Sequence, residues 1–280
     1  HISEHILRDG GGVLETAYQQ EPNNIIWFLL DDGTLASLTW SREQEVAAWG
    51  RHIIAGGGTS DAIVESIACV PSADSSRDDL YLIVKRTING ATTRWVEMLE
   101  EDFYPTSAST KTGMRFLDAG RLIENFTGTT ITGLTHLEDE FVVAMVDGIS
   151  QGSKRVTSGA VTITAGNEVW IGKSFTSIAK SLPPEAGSAF GTSHGAIKQV
   201  KKMKARILNS LGFSYGWSGA TLNSKTALEL NGGQSSNFVT DTVELIPNAP
   251  YHPESQWTIQ TSEPYPLNLL SMSLVVECGE

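Results

Sequence analysis

Histidine and carboxylate side chains come closest together in a short polar run that begins at His136. Glu138, Asp139 and Glu140 follow it. Imidazole and carboxylate groups at this spacing could bind a metal ion or move protons in acid–base catalysis. The run lies between predicted strands, so the sequence favours a solvated loop over a catalytic or metal site. The remaining histidines share no common spacing: His1, His5, His52, His194 and His252.

Gly172, Lys173 and Ser174 resemble the end of a phosphate-binding loop. Such a loop needs a further glycine at position 167, where Asn167 stands. The segment also has the pattern of a strand end and not of a strand-to-helix turn, so the backbone cradle for phosphate is missing. Residues 187–191 contain a serine in the wrong place for a hydrolase nucleophile.

Paired carboxylates occur at Asp31-Asp32 and Asp78-Asp79, beside predicted hairpins. Aspartate in turns hydrogen-bonds nearby backbone amides, so a structural role is favoured. A glycosidase needs two carboxylates facing across a cleft, and the sequence singles out no such pair. We therefore predict no enzyme activity and no catalytic, cofactor-binding or metal-binding residues.

Four of the seven tryptophans lie in the first hundred residues, at Trp27, Trp40, Trp49 and Trp95. Aromatic rings can stack on sugars, but at strand positions they more often fill a core. We expect all four in the core. Exposure would favour the alternative of a carbohydrate-binding module.

The chain carries 20 Lys and Arg against 32 Asp and Glu, a net charge of −12. Phosphate affinity needs clustered cations, so this surface repels nucleic acid. The imbalance fits an ordinary soluble acidic protein or a wall that DNA does not adhere to. With 40% hydrophobic and 19% charged residues, the composition is that of a globular protein.

One cationic cluster interrupts this acidity, at residues 198–206, with Lys198, Lys201, Lys202, Lys204 and Arg206. It could contact phosphate, but given the polarity of the rest an acidic neighbouring subunit is the preferred partner. The flanking apolar residues are three apart, a helical spacing. We predict a short helical turn or an edge strand here, leading into a strand that ends near residue 216.

Cys69 and Cys278 lie in apolar stretches without metal-ligand or redox spacing. Two free thiols, buried or half-buried in strands, are expected. The longest apolar run, at residues 25–30, is too short to span a bilayer, so we predict no membrane insertion. The sequence starts at His1 without a leader pattern, and we expect it to continue a longer gene product or to follow a cleavage.

The dominant hydrophobic period is two, which predicts a mainly β fold of antiparallel sheets. Hairpin turns are expected where Asp or Asn precedes glycine, at Gly33, Gly90 and Gly148. The hairpin spacing in residues 24–99 suits propeller-like blades, with smaller β-sandwich-like modules after them. Strands are predicted at residues 24–30, 34–40, 45–54, 64–70, 80–86, 91–99, 141–146, 155–156, 159–164, 168–171, 227–230, 240–245, 256–261 and 269–277. Module boundaries are predicted to give residues 1–105, 106–185 and 186–280.

Several spaced segments resemble the tail tubular protein B, or nozzle, family of short-tailed bacteriophages and related prophage structural proteins. The matching segments are residues 17–22, 26–27, 32–35, 38–39, 42–46, 48–49, 64–67, 79–90, 94–97, 133–148, 156, 159, 169–172 and 264–270. The resemblance is strongest over residues 17–97. It covers the C-terminal portion of family members, which are usually much longer.

The resemblance implies a structural subunit of a virion tail, made in the bacterial cytoplasm. It further implies a ring of copies, a hexamer, that contacts other tail proteins while DNA passes through without specific binding. Two alternatives stay open: a carbohydrate-binding receptor-recognition tail protein, and a hydrolase of surface polysaccharide.

Overall fold

The computed structural model describes residues 4–58, 60–74, 76–185, 187–188, 191–192, 195–233 and 236–278. His1 and His194 lie outside these residues. The fold is mainly β, and every strand pairing recorded between the described strands is antiparallel, which confirms the predicted class. The propeller arrangement stays a prediction.

The elements follow in chain order: α1 (Glu4–Asp9), β1 (Val13–Gln19), β2 (Ile25–Leu30), β3 (Leu35–Ser41), β4 (Val46–His52), β5 (Ile63–Pro71), β6 (Asp78–Ile88), β7 (Ala91–Met98), β8 (Asp118–Ile123), β9 (Thr130–Ile131), a 3₁₀ helix (Thr135–Leu137), β10 (Phe141–Val146), β11 (Ile149–Arg155), β12 (Val161–Thr162), β13 (Val169–Lys173), β14 (Ser177–Lys180), β15 (Gly187–Ser188), β16 (Gly191–Thr192), β17 (Lys198–Ser210), β18 (Phe213–Trp217), β19 (Asn223–Lys225), α2 (Ala227–Leu230), β20 (Val239–Leu245), β21 (Trp257–Thr261) and β22 (Asn268–Cys278).

The chain divides into two compact units. Unit 1 contains residues 1–102, 117–146 and 151–173, and unit 2 contains residues 103–116, 147–150 and 174–280. The module boundaries predicted at residues 105 and 185 stay a prediction.

Turn chemistry explains the hairpins. Asn89 and Gly90 both have positive φ, 48° and 75°, and so do Asp147 and Gly148, at 49° and 74°. Two consecutive positive φ values define the type I′ turn, whose twist matches that of the flanking strands. The predicted hairpins β6–β7 and β10–β11 are therefore confirmed.

Unit 1 begins with two antiparallel meanders, β1-β2-β3-β4 and β5-β6-β7. Their inner faces share one core, which contains Trp27 and Leu29 from the first sheet and Leu80, Leu82 and Val84 from the second. Successive side chains of a strand point to opposite faces. The residues between these core positions therefore lie on the outer faces, on opposite sides of the sheet pair.

The second part of unit 1 is the sheet β11-β10-β13-β8, with the small sheet β12-β9 beside it. The strands β10 and β13 are apolar and almost fully buried on both faces. Their side chains form a separate core with residues of the 3₁₀ helix and of β9 and β12, among them Leu137, Ile131 and Val161.

Unit 2 is built on β17, a 13-residue strand in the centre of the sheet β20-β17-β22. The sheet β14-β21-β18-β19 contributes Phe213, Tyr215 and Ile259 to a core shared with Met203 and Ile207 of β17. Residues 198–206 form a strand, one of the two predicted alternatives, but it is the central strand of its sheet and not an edge strand. The predicted strand that ends near residue 216 is β18, which is separated from β17 by a short break.

The predicted strand at residues 227–230 is also wrong, because this segment is the helix α2. The Thr226 side chain accepts a hydrogen bond from the Glu229 backbone, and the Glu229 side chain accepts one from the Thr226 backbone. This reciprocal pair is a capping box, which stabilises a helix start.

Candidate binding surfaces

Trp27 behaves as the sequence predicts. It is 4% exposed, and its indole N–H donates to Gln19 Oε1 at 3.0 Å. Its ring lies 5.0 Å from the imidazole of His52, whose pKa is lowered by burial. Trp27 is therefore a core residue with its one polar group satisfied.

The core prediction is wrong for Trp40 and Trp95, which are 52% and 44% exposed. Trp49 is half-buried. The alternation of side chains along the strand explains why Trp40 is exposed. Leu35 packs in the shared core, whereas Trp40 shares the opposite face of the sheet with Leu38 and Trp49.

We call the outer surface of the first sheet the aromatic face. It consists of Tyr18, Ile26, Phe28, Leu38, Trp40 and Trp49. Phe28 and Trp49 stack with ring centroids 5.4 Å apart and planes at 29°. The Tyr18 hydroxyl donates to Asn24 Oδ1 at 2.7 Å, and the Tyr18 ring stays 55% exposed. This face can stack on a flat sugar ring or become buried against another protein surface.

The outer surface of the second sheet is apolar as well, and we call it the aliphatic face. It consists of Val70, Tyr81, Ile83, Val96 and Met98, which are 36% to 73% exposed. The sequence contained the signal, because residues 80–84 are apolar at every position and so present apolar side chains on both sides of β6. Sequence reasoning did not extract it.

Charged side chains border the aliphatic face at the end near Lys85. Glu65 lies 3.4 Å from the Lys85 ammonium and 2.6 Å from the Arg94 guanidinium. The hydrogen bond from Arg94 lowers the pKa of Glu65. Two cations share one carboxylate here, which leaves this end with a net positive charge.

The acidic run after His136 is held in place by protein partners. Glu138 accepts from the backbone of Ser158 and Gly159 at 2.7 and 2.6 Å, and Asp139 pairs with Arg155 at 3.1 Å. No group of three or more potential metal ligands occurs within the described part of the chain. These two carboxylates therefore order a loop.

Glu140 departs from the predicted solvated loop. It is 8% exposed and accepts from the Gly58 backbone N–H at 2.8 and 2.9 Å. It also pairs with the ammonium of Lys173, which is 6% exposed. The strand end predicted at residues 172–174 is confirmed at Lys173, and this lysine is used in a buried ion pair.

His136 itself is half-buried in the 3₁₀ helix, with its ring 5.4 Å from that of Trp95. Burial lowers its pKa, and the charges of Arg121 and Arg86 lower it further. The imidazole is therefore neutral at physiological pH. Trp95 lies on β7, which is an edge strand, and this position explains why Trp95 is exposed.

Sequence reasoning missed a second buried carboxyl group, that of Asp118 at the start of β8. Its Oδ2 accepts from the Ala55 backbone N–H at 2.7 Å. The carbonyl of Ala55 accepts from Arg86, and Arg86 also forms a two-pronged ion pair with Glu97. Burial raises the pKa of Asp118 to about 6. No local sequence pattern announces this group, since its partners are far away in the chain.

The cationic cluster of β17 is neutralised largely within the chain. Lys201 lies 2.8 Å from Glu277 of β22, and Lys202 lies 2.8 Å from Glu244 of β20. Lys198 is 1% exposed and pairs with Glu185 at 3.0 Å. Lys201 and Lys202 thus form a cross-strand charge ladder with β22 and β20, in which each pairing reduces the charge offered to an outside partner.

The two cysteines differ. Cys69 is half-buried in β5, as predicted, and burial raises its pKa to about 11. Cys278 also lies in a strand but is exposed, so its predicted burial is wrong. Both are free thiols.

An apolar groove of about 260 Å³ lies in unit 2, between Phe116, Phe175, Ile178, Tyr265 and Leu267. Its polar lining residues include Ser177, Thr261 and Glu263.

No protein-family model matches this chain, and no curated protein matches its sequence. Within the described residues, no helix has the length and apolar character needed to cross a membrane.

Proposed function

We propose that the chain is a structural subunit of a bacteriophage tail, part of the tube or nozzle through which DNA leaves the virion. It acts by assembly and not by catalysis. The observation that carries this proposal is the pair of exposed apolar faces in unit 1. Soluble monomers rarely expose wide apolar patches, whereas subunits of assemblies cover them with neighbours.

The resemblance of residues 17–97 to nozzle proteins supports the same conclusion. By that resemblance, the partners are copies of the chain in a ring of six, together with other tail proteins. DNA is a passing occupant of the channel, and the virion tail is the location.

The acidic character of the chain suits a DNA channel. A net charge of −12 disfavours adsorption of DNA, because binding by counterion release requires exposed cations. The strongest cationic cluster is paired internally with Glu244, Glu277 and Glu185. An image of the assembled ring with Lys201 and Lys204 lining the lumen would contradict this acidic-channel proposal.

Electron-microscope images of the purified chain test the proposal. We expect rings with an open centre wide enough for duplex DNA, about 20 Å. Compact particles without a central opening would contradict it. Single-turnover assays on host surface polysaccharide should give no release of reducing ends.

A carbohydrate-binding tail protein is the second candidate, favoured by the exposed rings of Tyr18 and Trp40 on one face. A glycan array tests it. If this candidate is correct, Trp40→Ala abolishes binding while Trp95→Ala, which removes a similarly exposed tryptophan elsewhere, does not. Absence of glycan binding by the wild-type chain would exclude it.

A further inference from the structure

We propose that copies of this chain associate head to tail, with the aromatic face of one copy packed against the aliphatic face of the next. The proposal rests on the proposed function, because it names the contact by which the subunits of a ring would meet.

The first step is the placement of the two faces. The core shared by β1–β4 and β5–β7 contains Trp27 and Leu29 from one sheet and Leu80 and Leu82 from the other. Phe28 lies between Trp27 and Leu29 in β2, and Tyr81 lies between Leu80 and Leu82 in β6. Because successive side chains of a strand point to opposite faces, Phe28 and Tyr81 each lie on an outer surface. The two apolar faces therefore lie on opposite sides of the same sheet pair.

The second step is symmetry. A two-fold dimer buries the same patch on both copies and would leave the other apolar face of each copy in water. A head-to-tail contact covers one face of each kind at every junction. Repeated, such contacts give a closed ring or an open filament.

Charge also favours unlike faces as partners. At the end of the aliphatic face, Lys85 and Arg94 share the single carboxylate of Glu65. Next to Trp40 on the aromatic face, the turn between β3 and β4 has two exposed glutamates, Glu43 and Glu45, against one arginine. The net positive end of the aliphatic face can thus meet the net negative turn beside the aromatic face.

The apolar side chains of both faces are widely exposed to solvent. Val96 is 73% exposed and Val70 47%, and on the other face Tyr18 and Trp40 are each more than half exposed. Contiguous exposed apolar patches of this kind are uncommon on the surface of a stable monomer.

The test mixes two variants that each lack one face. Trp40→Glu damages only the aromatic face and Val96→Glu only the aliphatic face, and both positions are exposed enough for the fold to survive. In sedimentation experiments each variant alone should remain a single chain. A mixture of the two should form a complex of two chains and nothing larger, because only one intact pair of unlike faces remains.

Tyr18→Glu and Met98→Glu form an independent second pair of variants, in case either first variant fails to fold by circular dichroism. Leu182→Glu is the matched control, since Leu182 is 79% exposed and lies in unit 2. The control should assemble as the wild type does. Equal loss of assembly in the control would overturn the assignment to these two faces.

The outcomes separate this inference from the proposed function. If the wild type forms rings but each single variant still assembles by itself, the aromatic and aliphatic faces do not form the contact. The proposed ring is then still supported. If the mixture gives two-chain complexes but the wild type forms only open filaments, the contact between the two faces is supported. The proposed nozzle function is then wrong. A wild type that stays a single chain at all concentrations overturns both.

Discussion

The Asp118 carboxyl lies largely out of solvent, near the ion pair of Arg86 and Glu97. Burial raises the pKa of Asp118 from 3.8 to about 6, in spite of the hydrogen bond from Ala55 and the charge of Arg86. A carboxyl group with a raised pKa favours the folded state in its protonated form. Its contribution is fully present below about pH 4 and is lost as the pH rises through about 6.

We therefore predict that Asp118→Asn removes a pH-dependent part of the stability. Relative to the variant, the wild type should lose up to about 3 kcal/mol of unfolding free energy between pH 4 and pH 7, the equivalent of the pKa difference. Urea unfolding of both proteins at several pH values measures this.

Asp74→Asn is the matched control for this experiment. Hydrogen bonds from Ser72 and Ser76 lower the pKa of Asp74 to about 2. Its contribution is therefore lost only as the pH falls below about 4, and the control should not alter the slope between pH 4 and pH 7. An identical change of slope in both variants would contradict the role given to Asp118.

The buried pair of Glu140 and Lys173 supports a second prediction. Lys173→Met leaves the Glu140 carboxylate buried with only the Gly58 amide as partner. Loss of one member of a buried pair costs about 3 kcal/mol or more. The double variant Lys173→Met with Glu140→Gln should be less destabilised than Lys173→Met alone, because the neutral amide still accepts from Gly58.

Denaturant midpoints of the two variants compare these effects. A double variant that is less stable than the single one would contradict the account.

Neither Asp118 nor Glu140 was predictable as a buried group. Their backbone partners lie 63 and 82 residues away, and no local pattern encodes such contacts.

At the scale of strands, the charge ladder of β17 supports a third prediction. The wild-type chain should not bind duplex DNA at 50 mM salt, since Lys201 and Lys202 pair with carboxylates on β22 and β20. Glu244→Gln together with Glu277→Gln releases Lys202 and Lys201 from their partners. This variant should gain a weak, salt-dependent DNA affinity.

Fluorescence anisotropy with labelled duplex measures both proteins. The control is Glu43→Gln with Glu45→Gln, which removes the same charge from a turn far from β17 in sequence, and it should gain less affinity. Strong binding by the wild type would contradict the internal pairing.

Local chemistry made the hairpins predictable, and it also explains the errors. Val200 and Met203 are three residues apart, which resembles a helix. A bulge between Val200 and Lys202 adds one residue to β17, so both apolar side chains face the core of one sheet. A bulge of this kind cannot be distinguished from a helical turn by spacing alone.

Two further errors have distinct reasons. The capping box of Thr226 and Glu229 was visible in the sequence, but the apolar residues between them suggested a strand. The exposure of Trp40 was not visible, because strands with apolar residues on both sides do not reveal which side is the core. Alternation gives the two faces of a strand, and only the packing of sheets selects the buried one.

At the scale of the whole molecule, the described parts of unit 1 leave two apolar faces exposed. A chain that works alone has no use for both, and each would favour unspecific association. A subunit whose neighbours cover both faces gains stability from them in proportion to the apolar area removed from water.

The mass of the purified chain in solution, measured over a wide range of concentrations, tests whether the chain assembles. We predict a discrete multiple of 30.2 kDa that persists on dilution, as expected for a closed ring of identical subunits. A mass of one chain at every concentration would contradict the account.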